Sequence, residues 1–480
     1  MSSQPIDHFV LLPLYAAAGT AILALLADLF IARRGAVIGA TALGGLATAA
    51  AALVAGAGGR TFCTTAAGAC SWVPTWPAAV TAVLFAGLTV GVLALSVPAL
   101  RLGAAPAGEF CFLLACSMTG GVVVAYSGDL ITLIVGLETL TLPLYVLVGL
   151  RRFAPGERAT TEAASASVTF FLISVVSTAI ALLGAALTYA ATGAVHLDML
   201  GPAPAPLEPL AGVGAALLVI GLAFKVAAVP LHAWAPATYD GAPVPVAAYL
   251  STASKLGGVL ALAAVVSRLD TAAVVAVLAV LTMTVGNLVA LRQSRMVRLL
   301  AWSSVAQAGY ILAALALGEP GVVAALAYAA FFVVLELIAF GVVVALRPPG
   351  ADGGELDGYR GAGRRAPWLG AALVLALAGL AGLPPGLAGL FAKLSVVDAL
   401  VQENWTWLAA IVLVNAVIAL AYYVRVGALL YTARPQAGHI PATTHPAVRV
   451  PRPIAAALIG AVTVAVLLGF APQLLFDGLT

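Results

Sequence analysis

The sequence predicts an all-α integral membrane protein with about fourteen transmembrane helices. Three observations carry this. Of 480 residues, 63% are hydrophobic and 9% charged, with a mean hydropathy of +1.11, whereas a soluble domain carries about 25% charged residues. Fourteen apolar runs approach or exceed the roughly 20 residues that a spanning helix needs. The basic residues between those runs fall almost wholly on alternate loops.

The runs follow in order. The first, 9–32, has no basic segment before it and reads as an uncleaved membrane helix. Arg33 and Arg34 separate it from 36–57. The hydrophilic loop GRTFCTTAAGACSW comes next; its Cys63 and Cys70 are able to pair if the loop faces an oxidising compartment. Run 77–99 ends at Arg101. Run 110–126 holds Cys111 and Cys116, which read as small hydrophobes, and 128–150 holds Glu138. Arg151, Arg152 and Arg158 precede 165–190. Run 210–233 carries Lys225, Pro230 and His232, and 244–267 carries Lys255. Arg292, Arg295 and Arg298 lie between 272–291 and 300–317, the latter with Ser303, Ser304 and Gln307. Run 321–346 contains Glu336. The Gly- and Arg-rich stretch 347–367 reads as a flexible connector. Run 368–401 is too long for one straight span and contains GLPPG followed by Lys393. Runs 408–432 and 453–475 complete the set, with Arg425 read as snorkelling from the end of 408–432. Asp129 and Asp240, at run ends, read as solvated or capping, and Glu162 as an N-terminal helix charge.

Sixteen arginines lie on the odd-numbered loops and two, Arg60 and Arg268, on the even ones. The positive-inside rule makes the odd loops cytoplasmic and puts both termini outside. The formal net charge of +3 gives no sign of nucleic-acid binding. No Cys-x-x-Cys pair, haem motif, iron–sulfur spacing or metal-ligand cluster is present.

Two runs look interrupted. Proline breaks or kinks a helix by removing a donor and clashing with the preceding turn. Pro230 interrupts the seventh run, and Pro384 and Pro385 the twelfth. Broken helices at corresponding positions point to inverted repeats around a mid-membrane site. The chain then divides into helices 1–3 (1–109), a five-helix repeat of helices 4–8 (110–267), a second of helices 9–13 (268–432), and a terminal loop and helix 14 (433–480).

All three lysines of the chain, Lys225, Lys255 and Lys393, sit inside apolar runs, as do Glu138 and Glu336. Five such groups would cost about 10 kcal/mol in lipid if unpaired. Arginine keeps its proton, whereas a desolvated lysine gives it up near neutrality and a nearby carboxylate reverses that. A file of Glu and Lys side chains at mid-depth therefore reads as a proton path. His232 either extends the path or makes a structural hydrogen bond. Ser303, Ser304 and Gln307 either coordinate water or pack between helices.

The runs FKVAAVPLHAWAPATYDGAPVPVAAYLSTASK (224–255), RLLAWSSVAQAGYILA (298–313) and LAGLPPGLAGLFAKL (380–394) closely resemble the antiporter-like membrane subunits of respiratory complex I. The resemblance implies that Glu138 pairs with Lys225, that Lys255 connects the two halves, that Lys393 is the terminal group and that His232 relays protons. It implies no cofactor in this chain, with flavin, iron–sulfur clusters and quinone in partner subunits of a bacterial cell-membrane complex. The family usually carries a lysine at the start of the sixth helix and often a histidine at position 307; here SASVTFFLIS offers Val168 and Thr169, and position 307 is Gln. Two other readings stand beside this one: a subunit of a Mrp-type cation/proton antiporter, and a membrane scaffold that pumps nothing.

Overall fold

The computed structural model describes residues 6–31, 33–64, 68–150, 157–433 and 449–479. Arg151, Arg152, Arg434 and the side chain of Arg158 fall outside the described residues. In chain order the elements are α1 (Leu12–Ile31), α2 (Arg34–Ala55), a hairpin of β1 (Thr61–Cys63) and β2 (Cys70–Trp72), α3 (Trp76–Arg101), α4 (Ala107–Tyr126), α5 (Leu130–Gly149), α6 (Glu157–Thr192) and α7 (Glu208–Ala223). Then come α8 (Trp234–Gly241), α9 (Val244–Tyr249), a π-helical turn (Leu250–Ser254), α10 (Lys255–Val266), α11 (Ala272–Ala290), α12 (Met296–Leu315) and α13 (Val322–Leu346). The last are α14 (Ala362–Arg365), α15 (Pro367–Ala381), α16 (Leu387–Gln402), α17 (Thr406–Tyr431), α18 (Arg452–Phe470) and α19 (Gln473–Leu479).

Twelve helices among the described residues are long and apolar enough to cross a membrane. Two of the fourteen expected runs differ. Helix α12 has 20 residues but interrupts its apolar surface with Arg298, Ser303, Ser304 and Gln307. The twelfth run is two shorter helices, α15 and α16, of 15 and 16 residues. The seventh is broken too: α7 ends at Ala223, and the chain turns before resuming as α8. Pro230, Pro384 and Pro385 all lie in the breaks, with cis Val229–Pro230 and Pro384–Pro385 bonds.

Burial separates the helices into core and rim. The segment 244–266 and α13 are almost wholly buried, whereas α1, α2, α6 and α18 turn most of their apolar surface outward. That outward surface suits hydrocarbon. Neighbouring helices approach through small residues, as membrane helices do when packing replaces the hydrophobic effect. A Cβ on Gly184 would stand 2.3 Å from the Leu218 backbone across α6 and α7, and one on Gly309 would stand 2.4 Å from the Met283 backbone across α12 and α11.

The arginine-bearing loops gather at one end. Arg34 donates to the carbonyl of Arg101 at 2.9 Å. Arg295 pairs with Asp240 at 2.9 Å and with Asp352 at 3.1 Å, and Arg347 also takes Asp352 at 3.1 Å. Asp240 is thus neither simply solvated nor a cap; it ties the end of α8 to the loop before α12. The connector 347–367 is pinned rather than loose: besides these ion pairs, Tyr359 is buried and donates to the Gly353 carbonyl at 2.6 Å, and burial pushes its phenol pKa up. Arg425 extends from α17 to the chain that follows α11. Its guanidinium caps the end of α11, donating to the carbonyls of Leu291 at 2.7 Å and Gln293 at 2.8 Å.

The opposite end carries the hairpin, where Cys63 and Cys70 are disulfide-bonded. Trp72 stacks on Tyr126 with centroids 4.7 Å apart and donates to the Val10 carbonyl at 2.9 Å. Arg60 and Arg268 both face Asp198 there. Asp129 is buried and caps α5 by accepting from Thr132 N–H at 2.7 Å. Cys111 and Cys116 are free.

Candidate functional site

The break in α7 creates the first charged site. Residues Phe224–Val226 form a short 3-10 turn that ends at Ala227, whose φ of 59° lies in the left-handed region. Lys225 therefore sits at a helix C-terminus, where the carbonyl end of the dipole favours a cation. It is 4% exposed. Its ammonium has three protons to give, and three acceptors receive them: Glu138 Oε1 at 2.7 Å, Ser174 Oγ at 3.1 Å and Thr141 Oγ1 at 3.2 Å. Thr178 also donates to Glu138 Oε1, at 2.6 Å. Glu138 and Thr141 share one face of α5, and Ser174 and Thr178 one face of α6, as i,i+3 and i,i+4 spacings require. A cavity of about 10 Å³ adjoins the pair, near the size that admits one water.

Sequence reasoning brought Glu138 and Lys225 together but missed the hydroxyls. The signal was present: Ser174 and Thr178 are spaced four apart on the helix that lacks the family's lysine. Val168 points outward, so α6 meets the ion pair with hydroxyls instead of a charge.

Lys255 opens α10 directly after the π turn and is 2% exposed. Its ammonium donates to the Ser304 carbonyl and lies 6.0 Å from the Phe332 ring. Glu336, fully buried on α13, reaches the same region: Ser251 Oγ stands 3.2 Å from Glu336 Oε2 and 2.9 Å from Ser304 Oγ.

Lys393, 8% exposed, lies in the second broken helix. It donates to the Leu380 carbonyl at the C-terminal end of α15 and stands 5.1 Å over the Tyr310 ring, a cation–π distance. Leu380 also accepts from Gln307 Nε2 at 2.9 Å. Gln307 and Ser303 both meet Tyr423, so the three polar residues of α12 are hydrogen-bonded inside the bundle. The crossing at this break is built from glycine: a Cβ on Gly389 would overlap the Gly379 carbonyl.

His232 is half-buried in the first break, beside Trp302 at 5.2 Å between ring centroids, with Nδ1 3.2 Å from the Pro230 carbonyl. It contacts none of the three lysines. A mainly apolar cavity of about 180 Å³ lies at the arginine-rich end and touches none of the buried lysines. Among the described residues no His, Cys, Asp and Glu cluster could hold a metal ion.

A broken-helix bundle with an ion pair at one break and two more buried lysines defines an antiporter-like membrane protein. The chain belongs to the family described as NADH:quinone oxidoreductase/Mrp antiporter, transmembrane, which matches residues 127–419. It is 58% identical to the NADH-quinone oxidoreductase subunit N of Salinispora tropica, over 99% of this chain and 98% of that one. It is similar to a chain of respiratory complex I from Thermus thermophilus solved with bound aureothin, at 29% identity and a TM-score of 0.78, covering 97% of this chain and 98% of that one. It also shares its fold with a chain of the Mrp complex from Dietzia, at 23% identity and a TM-score of 0.81, covering 98% and 95%.

Proposed function

We propose that this chain is a proton-translocating membrane subunit of a bacterial NADH-quinone oxidoreductase, of the N-subunit type. The observation that carries the reading is the Lys225–Glu138 pair, held at the break of α7 and heading a file of buried lysines. The full-length likeness to subunit N favours this over the Mrp antiporter, whose likeness extends to the fold alone. The buried, fully hydrogen-bonded lysine pair favours it over a passive scaffold.

The chain then crosses the bacterial cell membrane fourteen times, with α12 and the α15–α16 pair as spans. Inverted five-helix repeats cover 110–267 and 268–432, flanked by 1–109 and 433–480. The arginine-rich end faces the cytoplasm and both termini lie outside, an orientation that the disulfide at the opposite end supports. Flavin, iron–sulfur clusters and quinone belong to partner subunits; this chain transfers no electrons.

In this reading Glu138 sets the charge of Lys225. While the carboxylate is close, the ammonium is favoured; as it withdraws, desolvation drives the proton off. Lys255 receives charge at the centre and Lys393 releases it through the second break, with His232 as a relay at the first. Quinone reduction elsewhere in the complex supplies the energy.

The test is Lys225→Met in the assembled complex in inverted vesicles, following NADH-driven quinone reduction and lumen acidification together. Loss of both by about tenfold or more supports an obligatory coupled path. Wild-type rates in an intact complex reject it.

A further inference from the structure

The α13 helix is apolar along its length except at Glu336, which is 0% exposed. A carboxyl there is costly unless its charge is compensated or it keeps its proton. Yet Glu336 forms no ion pair among the described residues, and its Oε1 is buried without a hydrogen-bond partner. Its other oxygen meets Ser251, and Ser251 meets Ser304, whose carbonyl holds Lys255.

We infer that Glu336 is a second proton-exchange carboxyl of this chain, serving Lys255 directly through its unpartnered Oε1 while the Ser251–Ser304 hydroxyl pair accommodates both of its charge states. This rests on the proton-translocation reading above and extends it to a residue outside the first broken helix.

The hydroxyl pair is the observation that carries the inference. Ser251 Oγ has one proton and two hydrogen-bonded oxygens, Glu336 Oε2 and Ser304 Oγ, with the buried Tyr239 hydroxyl beside the pair. If Glu336 is ionised, Ser251 donates to it and accepts from Ser304. If Glu336 is protonated at Oε2, it donates to Ser251, which donates to Ser304. The pair thus reverses direction with the charge of the carboxyl and satisfies both states without moving a heavy atom.

Lysine supplies the moving part. Its ammonium rides on a flexible four-carbon stem, and Lys255 now spends one proton on the Ser304 carbonyl. Rotation of the stem toward Glu336 exchanges that acceptor for the unpartnered Oε1. Proton transfer then breaks one N–H bond of the ammonium and forms one O–H bond on Glu336, leaving a neutral amine and a carboxylic acid. The reverse step recharges the lysine. The π turn serves this geometry by placing Ser251 and Lys255 toward the same residue of α12; such turns are often found at functional sites.

The experiment uses the assembled complex in inverted vesicles with four variants: Glu336→Gln, Glu336→Asp, Ser251→Ala and Lys225→Met. The expected result is a fall of about tenfold or more in NADH-driven pumping for Glu336→Gln, a measurable remnant for Glu336→Asp and an intermediate loss for Ser251→Ala. Redox-induced infrared difference spectra should show a carboxylic-acid band that Glu336→Gln removes and Ser251→Ala shifts. Wild-type pumping by Glu336→Gln in an intact complex, or an unchanged band, overturns the inference. If Glu336→Gln does not assemble, the band in Glu336→Asp decides: shifted supports, unmoved rejects. Lys225→Met separates the two levels. If it pumps normally, the underlying reading fails; if it is inactive while Glu336→Gln is active, only the role of Glu336 fails.

Discussion

Lys225 Nζ stands 2.7 Å from Glu138 Oε1, and that one oxygen also accepts the Thr178 hydroxyl at 2.6 Å. Three helices therefore converge on a single carboxylate oxygen. A displacement of α5, α6 or the α7 break changes the charge balance of the lysine.

Breaking this pair on one side should cost more than removing both members. Glu138→Gln strands a nearly buried ammonium, and Glu138 is itself 23% exposed, so the loss should lie near about 2–3 kcal/mol, below the fully buried range. The double variant Glu138→Gln/Lys225→Met should recover most of that stability while still failing to pump. Thermal unfolding of the purified complex, read beside vesicle acidification, checks both. Equal destabilisation by the single and double variants would argue against a mutually dependent pair.

The Thr178 hydroxyl holds Glu138 in place. Thr178→Val keeps the shape and removes a hydrogen bond to a charged group, a contribution of about 1.5–3 kcal/mol. Coupled pumping should fall several-fold, and Thr178→Ser should restore it. Failure of Ser to rescue would indicate a packing role for the methyl group instead.

Gly382 is irreplaceable for two independent reasons. Its φ of 81° ends α15 in the left-handed region, and a Cβ there would stand 2.7 Å from Lys393 Cδ. Gly382→Ala should destabilise by about 1–3 kcal/mol and lower pumping by displacing the lysine from the Leu380 carbonyl. Gly427→Ala, where a Cβ meets nothing within 4 Å, should be neutral. Parallel melting curves and acidification rates of the two variants give the comparison.

Arg425→Leu should expose the cost of uncapped carbonyls. Two charge-assisted bonds to Leu291 and Gln293 disappear, so stability should drop by about 2–3 kcal/mol or more. Arg425→Lys, which lacks the fork, should recover part of it. A melting temperature of Arg425→Leu equal to that of the parent would show that the cap is replaced by solvent.

The disulfide offers a test of sidedness. After mild reduction, a membrane-impermeant maleimide should label Cys63, the more exposed of the two, in right-side-out vesicles and not in inverted ones. Labelling of the opposite kind would reverse the proposed orientation.

Much of the fold was legible because lipid leaves few options. Apolar runs of spanning length must be helices, and proline inside them must interrupt. The three lysines and Glu138 announced themselves by cost. Other features had no such signature. Ser174 and Thr178 lie on a helix whose surface is mostly turned outward, so nothing in their neighbourhood marked them as inward-facing. Arg425 and Asp240 looked peripheral because capping and ion pairing depend on partners far along the chain, Leu291 and Arg295. The stretch 347–367 was read as loose from its glycines, whereas Asp352, held by Arg295 and Arg347, and the buried Tyr359 fix it. The turn at Leu250–Ser254 was invisible, since LSTAS would serve equally well in an ordinary α-helix.

That turn has a consequence for the whole chain. Each α-helical residue advances the azimuth by about 100°, so the wider winding across Leu250–Ser254 sets α9 and α10 out of phase. On one side Tyr249 bonds Thr89 of α3 at 3.1 Å; on the other Lys255 addresses α12, and Gly258 packs against Lys225. Deleting one residue here would straighten the helix at little cost in hydrogen bonds, yet swing one half's contacts by roughly a quarter turn. The central span is therefore a phase shifter: its extra residue sets the azimuth of the Tyr249 contact to α3 against that of the Lys255 contact to α12.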